Sequence, residues 1–437
     1  MSIRKFFMSA MFLLEATATQ AQESDLLQIY RLALLHDAQY TAAKAHQRIG
    51  QEHWLQGRAG LLPQISLDTQ SHWVESNHHT PSANTEQKRR NQSYSIQLIQ
   101  PIFRWQNWVQ FQQGELQRAQ AQIHLESAAQ GLLLRVAHSY FEVLNSTDVL
   151  QAVRDLRTAN GEQLAIAKKN FELGNISIID VNEAQASFDQ STAQFIKAKS
   201  DLHLAQYALV GIIGQQPGIL KGLHANATFS PPQPSELAMW IKMAERFNLD
   251  VQAQELLLGI ASNEVRIRKA EHLPSVDLIL NQSMQQNPNA STNSIDSTSI
   301  GLRFSMPLYS GGRLSSATRQ AVAMQEQTEF ELEDARRLAA LTAAQAWSGV
   351  MDGIAQEKAL EAAKSSARLA ATSNQIGYKI GVRVGIDVLE AQRKYSDIVQ
   401  QLSRARYDIL LAQLKLKAAT GTLSEVDITE INGLLSG

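Results

Sequence analysis

The sequence predicts a mainly α-helical protein with a minor β component, built as two tandem repeats of helix, β-hairpin and long coiled-coil helices. Three observations carry that expectation. The ten prolines stand at 63, 81, 101, 217, 231, 232, 234, 274, 288 and 307, which leaves 102–216 and 308–437 free of them. Phe171-Glu-Leu-Gly174 recurs as Tyr378-Lys-Ile-Gly381, Ile179-Asp-Val as Ile386-Asp-Val and Glu183-Ala-Gln as Glu390-Ala-Gln, each 207 residues on. A heptad register runs through the helix that follows each of these copies.

At the N-terminus, Arg4 and Lys5 precede an apolar run from Phe6 to Leu14 and then small residues with cleavage sites after Ala18 or Ala21. That pattern reads as a secretory signal peptide over 1–21. Beyond it no stretch approaches the ~20 apolar residues of a membrane helix. An exported chain of this kind is periplasmic or is held in a membrane by strands. Forty basic against 42 acidic residues and a net charge of −2 give no electrostatic footprint for nucleic acid. The absence of cysteine excludes disulfides, thiolate zinc sites and a cysteine lipid anchor.

The repeats are expected over 22–220 and 221–437, joined into one integrated fold. Leu62-Pro63 returns as Leu273-Pro274 and Pro101 as Pro307, so the duplication includes the segments between the prolines. There the period changes from helical to alternating. Ile65, Leu67 and Thr69 alternate with Ser66, Asp68 and Gln70, and Tyr94, Ile96 and Leu98 with Ser95 and Gln97. Strands are therefore expected at about 64–76 and 92–103. Val276, Leu278 and Leu280, then Ile300, Leu302, Phe304 and Met306, predict a second pair at about 274–286 and 297–309. The polar stretches 76–92 and 281–297 read as long solvated tips.

After each hairpin a proline-free stretch rich in Ala, Leu, Gln, Glu, Lys and Arg predicts a long helix, the first from about 104 to 173. At ~1.5 Å per residue it would run on the order of 100 Å, so it belongs to something elongated. The helix after the turn places Val181, Phe188, Phe195, Leu202 and Leu209 on one line and Ala184, Ser191, Ala198, Ala205 and Ile212 on a second. Val388, Tyr395, Leu402, Ile409 and Leu416, with Ala391, Ile398, Ala405, Ala412 and Ala419, repeat the pattern. Large residues facing small ones over five heptads predict tightly packed antiparallel coiled coils.

Four amphipathic strands cannot close a barrel, and lipid does not tolerate open sheet edges. Strands in a membrane would therefore be shared between chains, two giving 8 and three giving 12. A small sheet in a soluble periplasmic scaffold without a pore also accounts for the alternation.

With the duplicated plan, the strand entries Leu62-Pro63-Gln64-Ile65 and Leu273-Pro274-Ser275-Val276, the end Phe304-Ser-Met-Pro307-Leu-Tyr-Ser-Gly-Gly312 and the run Gly377-Tyr-Lys-Ile-Gly-Val-Arg-Val-Gly-Ile-Asp-Val-Leu-Glu390, the chain resembles the TolC family of outer-membrane efflux and secretion channels. The resemblance implies a homotrimer, with a 12-stranded barrel embedded in outer-membrane lipid and continued by an α-helical barrel across the periplasm. It implies export of drugs and other small molecules, or of proteins, together with a periplasmic adaptor protein and an inner-membrane pump or ABC transporter.

The halves differ where Tyr378 and Arg383 replace Phe171 and Ile176, while Asp180 and Asp387 are shared. The resemblance implies that Tyr378 and Arg383 bond Asp180 on a neighbouring helix pair and hold the periplasmic end closed until the inner coiled-coil pair untwists. Asp387 and Glu390, three apart on one helix face, would ring a narrow opening with carboxylates that favour cations. On spacing alone they are equally ordinary acids at a helix start.

No GxSxG elbow, HExxH, phosphate loop or GxGxxG behind a strand occurs, so neither an enzyme nor a cofactor is expected. His72, His78 and His79 read as polar loop residues, with no metal expected. Trp73, Trp105 and Trp108 lie near expected strand ends, where tryptophan anchors a membrane interface, although Trp105 and Trp108 could equally pack between helices.

Overall fold

The computed structural model describes residues 24–435 apart from 82, 225, 290 and 291. The expected signal peptide, 1–21, lies outside the described residues. The first repeat comprises α1 (Leu26–His36), α2 (Ala38–Ala59), β1 (Gln64–Thr80), β2 (Ala83–Phe103), α3 (Trp105–Glu172) and α4 (Ile178–Ile213). The second comprises α5 (Leu237–Phe247), α6 (Leu249–Ala270), β3 (Ser275–Asn289), β4 (Thr292–Ser305), α7 (Arg313–Lys379) and α8 (Gly385–Ala419), and α9 (Glu425–Asn432) follows.

The strands correct the expected tips. Residues 76–92 and 281–297 are mostly ladder: β1 pairs with β2 from Gln64↔Ile99 to Thr80↔Ala83, and β3 with β4 from Ser275↔Ser305 to Asn289↔Thr292. Polar composition suggested loops, but the ladder satisfies the backbone whatever the side chains. β4 ends at Ser305, short of the expected 309, ahead of Pro307 and of Gly311 and Gly312 with positive φ. Pro101, inside the expected strand, and Pro288 both lie within strands, at register shifts where a missing N–H is tolerated.

The two hairpins join through β2 and β3 into one antiparallel sheet, β1-β2-β3-β4. The helices continue that order, with α2 beside α3, α3 beside α6 and α6 beside α7. Towards the far end α4, α3, α8 and α7 lie side by side. The chain is thus a curtain, four strands wide at one end and four helices wide elsewhere.

Each long helix ends in a glycine turn. Gly174 (φ 74°) and Gly381 (φ 77°) follow α3 and α7. Asn175 N–H donates to Asn170 O and Val382 N–H to Gly377 O, both at 2.9 Å, a Schellman closure that needs the left-handed residue. In the coiled coils the small line is buried at Ala184, Ser191, Ala198 and Ala205, whereas Phe188 and Phe195 are half-buried under Arg157. α2 meets α3 closer still, since a Cβ on Gly114 would stand 2.8 Å from His53 O and one on Gly50 2.2 Å from Ala121 Cβ.

The main core sits midway along the curtain, where α1, the centre of α3, the ends of α4 and α8, and α9 converge on Leu26, Tyr140, Leu209, Leu410 and Ile428. Short bridges pair Ser24 with Leu220 and Leu223 with Leu435, so both ends of the described chain and the inter-repeat linker meet there.

Candidate functional site

The predicted gate residues cluster at the two helical tips. At the first, Ser177 begins α4, and Asp180 Oδ2 accepts from Ser177 N–H at 2.9 Å in a capping box. At the second, the Tyr378 hydroxyl accepts from Asn170 Nδ2 at 3.4 Å, and Arg383 Nη1 stands 3.6 Å from Asp387 Oδ2. The Arg383 stem lies across Gly377, where a Cβ would come within 2.8 Å of its Cγ. The Arg383 side chain stays 58% exposed. Within the chain Asp180 therefore joins neither Tyr378 nor Arg383; it caps its own helix.

Asp387 and Glu390 open α8, Asp387 half-buried and Glu390 exposed. Glu390 borders a cleft of about 120 Å³ between α3, α4 and α8, edged by Asn160, Ser187, Gln194 and Arg393. Asn160 is buried; its Nδ2 donates to Ser187 O at 3.1 Å and its Oδ1 has no partner among the described residues.

The sequence reading missed Asn170 and Gly377. They are equivalent positions, 207 residues apart, and their difference was visible in the repeat comparison: the repeat with the amide supplies Tyr378 with a partner, and the repeat with glycine makes room for Arg383. Of the expected loop histidines, His72 lies in β1, the side chains of His78 and His79 lie outside the described residues, and no three metal-ligating side chains converge among the described ones. Trp73 lies within β1 rather than at its end; Trp105 and Trp108 lie at the foot of the sheet, Trp108 against Phe111.

The sheet has two unlike faces. Residues paired across strands share a face. One face carries the row Ile65, Leu98, Leu280, Ile300 and, nearer the helices, Leu278 with Leu302 and Val276 with Phe304. Ile300, Leu302 and Phe304 are 71%, 72% and 67% exposed. The other face carries the rows Ser66, Gln97, Asn281, Ser299 and Asp68, Ser95, Ser283, Ser297. From Val276 to Met284 this face, interrupted by Gln282, Thr298 and Asp296, runs about 27 Å along the strand; at the ~40° tilt of a membrane strand that is roughly 20 Å of height, against about 25 Å for an outer-membrane apolar band. No described helix is long and apolar enough to cross a membrane.

An apolar-out, polar-in sheet running directly into helices about 100 Å long defines an outer-membrane channel protein that spans the periplasm. The profile of the Outer membrane efflux protein family matches the chain twice, over 29–215 and 240–422, once per repeat. The chain belongs to that family. It is similar to Outer membrane protein TolC of Vibrio cholerae, at 31% identity over 93% of both chains. It is also similar to Alkaline protease secretion protein AprF of Pseudomonas aeruginosa, at 28% identity over 92% of this chain and 85% of that one. The CmeC outer membrane channel of Campylobacter jejuni shares the fold, with a TM-score of 0.80 over 100% of this chain and 98% of that one at 15% identity.

Proposed function

We propose that three copies of this chain close a 12-stranded barrel and work as the outer-membrane exit duct of efflux or type I secretion. The observation that carries this reading is the state of the curtain's edges. β1 and β4 each pair on one side only. Along the same edges α4 exposes Ile196, Leu204 and Tyr207 and α7 exposes Phe330 and Leu338. Open strand edges in lipid demand a partner, and further copies of the same curtain supply it with no new surface. A soluble scaffold would leave Leu302 and Phe304 in water, which disfavours that alternative. The relatives' names include both efflux and protease secretion, and both cargo classes fit one duct whose partners are a periplasmic adaptor and an inner-membrane pump or ABC transporter.

The α7–α8 tip is the moving part of this proposal. Among the described residues the Tyr378 hydroxyl and the Arg383 guanidinium make polar side-chain contacts of 3.4 and 3.6 Å, and Asp180 Oδ1 is not engaged. Those groups can re-pair across helix pairs in the assembly and keep the periplasmic end shut, with Asp387 and Glu390 ringing the constriction. Opening is the untwisting of α7–α8 once the links break. Conductance of single channels in planar bilayers tests this: the Tyr378→Phe, Arg383→Ser double variant should conduct several-fold more than wild type. Equal conductances would move the gate elsewhere, and a protein that forms no channels would contradict the duct.

A further inference from the structure

The polar face of the sheet carries charge of its own. Cross-strand register puts Asp68, Arg89, Asp277 and Arg303 on that face. Asp277 sits directly opposite Arg303, yet it does not neutralise it. Both Asp277 oxygens are held by Arg104, Oδ1 from Nε at 2.8 Å and Oδ2 from Nη2 at 2.6 Å, and Asp277 is only 3% exposed. Arg303 is exposed and has no ion-pair partner among the described residues. Asp68 lies three rows higher, about 20 Å along the strand direction. Gly301, the next residue on the same face towards the tip, carries no side chain, and a Cβ added there would meet nothing within 4 Å. Arg89, with an unpartnered Nε, adds a second cation of the same sign higher on the face.

We propose that Arg303 lines the barrel as an anion-attracting ring, so that the outer-membrane half of the duct favours anionic groups while the carboxylates of the helical tip favour cations. A cargo with both signs of charge then meets opposite preferences at the two ends. Three guanidinium groups around a lumen act over roughly a Debye length, about 10 Å at 0.1 M salt and 3 Å at 1 M. The ring should therefore govern selectivity in dilute salt and fade in concentrated salt.

The proposal rests on the three-chain barrel, whose stoichiometry native mass spectrometry of the same preparation would measure independently. The experiment compares reversal potentials in a dilute KCl gradient for channels lacking the tip carboxylates, Asp387→Asn with Glu390→Gln, against the same channels also carrying Arg303→Gln. The added substitution should lower the chloride-to-potassium permeability ratio several-fold, Arg303→Lys should keep the ratio, and at 1 M KCl the difference should vanish. Inositol hexakisphosphate added on the barrel side should reduce current through channels with Arg303 and not through Arg303→Gln. An unchanged permeability ratio in Arg303→Gln trimers, or a change that persists at 1 M KCl, would overturn the proposal.

Discussion

Arg104 and Asp277, 173 positions apart, are locked in a two-pronged ion pair that ties the start of α3 in one repeat to the start of β3 in the other. Arg104 is the residue before α3, with extended backbone and no side-chain cap, so its guanidinium is free to reach across the β2–β3 junction. The pair sets the corner at which sheet becomes helix.

Breaking that pair should loosen the corner. Asp277→Ala leaves a partly exposed guanidinium without its partner, and we expect a loss of about 1–3 kcal/mol, discounted towards the low end because the Arg104 side chain is 41% exposed. The check is the temperature at which purified oligomers dissociate in detergent: Asp277→Ala should fall by several degrees, and Arg104→Lys, which keeps charge but loses the fork, should lie between the two.

Two glycines with the same left-handed φ should respond differently to alanine. At Gly174 (φ 74°) nothing stands within 4 Å of an added Cβ, so Gly174→Ala should cost only the ~1–2 kcal/mol of the conformation. At Gly421 (φ 69°) an added Cβ would lie 2.1 Å from Phe247 O, a backbone atom that cannot rotate away. Gly421→Ala should cost at least twice as much, read as the drop in melting temperature; equal drops would mean that the α5 end yields freely.

The mid-curtain core should be alkali-sensitive. Burial, then the nearby Asp148 carboxylate, raises the Tyr407 phenol well above the ordinary value of 10.0, and burial also raises Tyr140. Tyr407 Oη donates to Asp148 Oδ2 at 3.0 Å and Tyr140 Oη to Lys221 O at 2.8 Å. A folded pKa above the unfolded one gives stability that is complete below pH 10 and is lost as pH climbs from there towards the folded value. The slope is at most about 1.4 kcal/mol per pH unit for each phenol. In a titration of tyrosinate absorbance, Tyr140 and Tyr407, among the nine tyrosines, should ionise only with unfolding. Nine phenols ionising together in folded protein would contradict it.

The tips show how much of the site was legible. The repeat comparison picked out Tyr378 and Arg383 because a polar group replaces an apolar one at equivalent positions, a contrast written in the chain. Their partners were not written there. Asn170 reaches Tyr378 only because the first tip lies beside the second, and Arg383 turns back onto Asp387 across a bare Gly377.

The sequence alone determined the local elements. Proline spacing and alternation place α3 and the helix-proximal ends of the four strands within a few residues, because helices and hairpins depend on neighbours one turn or one pair away, whereas the polar outer halves of the hairpins, such as the start of β2 at Ala83, were not legible. It also determined the two faces of each strand, hence which face meets lipid. Only the tertiary structure decided that β2 pairs with β3, that Asp277 belongs to Arg104 and leaves Arg303 unpaired, and that α1, α9 and the linker close one core at mid-length. Those contacts join residues about 80 to 400 apart. The chain closes such loops at an entropic cost that grows only slowly with length, so no local spacing records which distant partner wins.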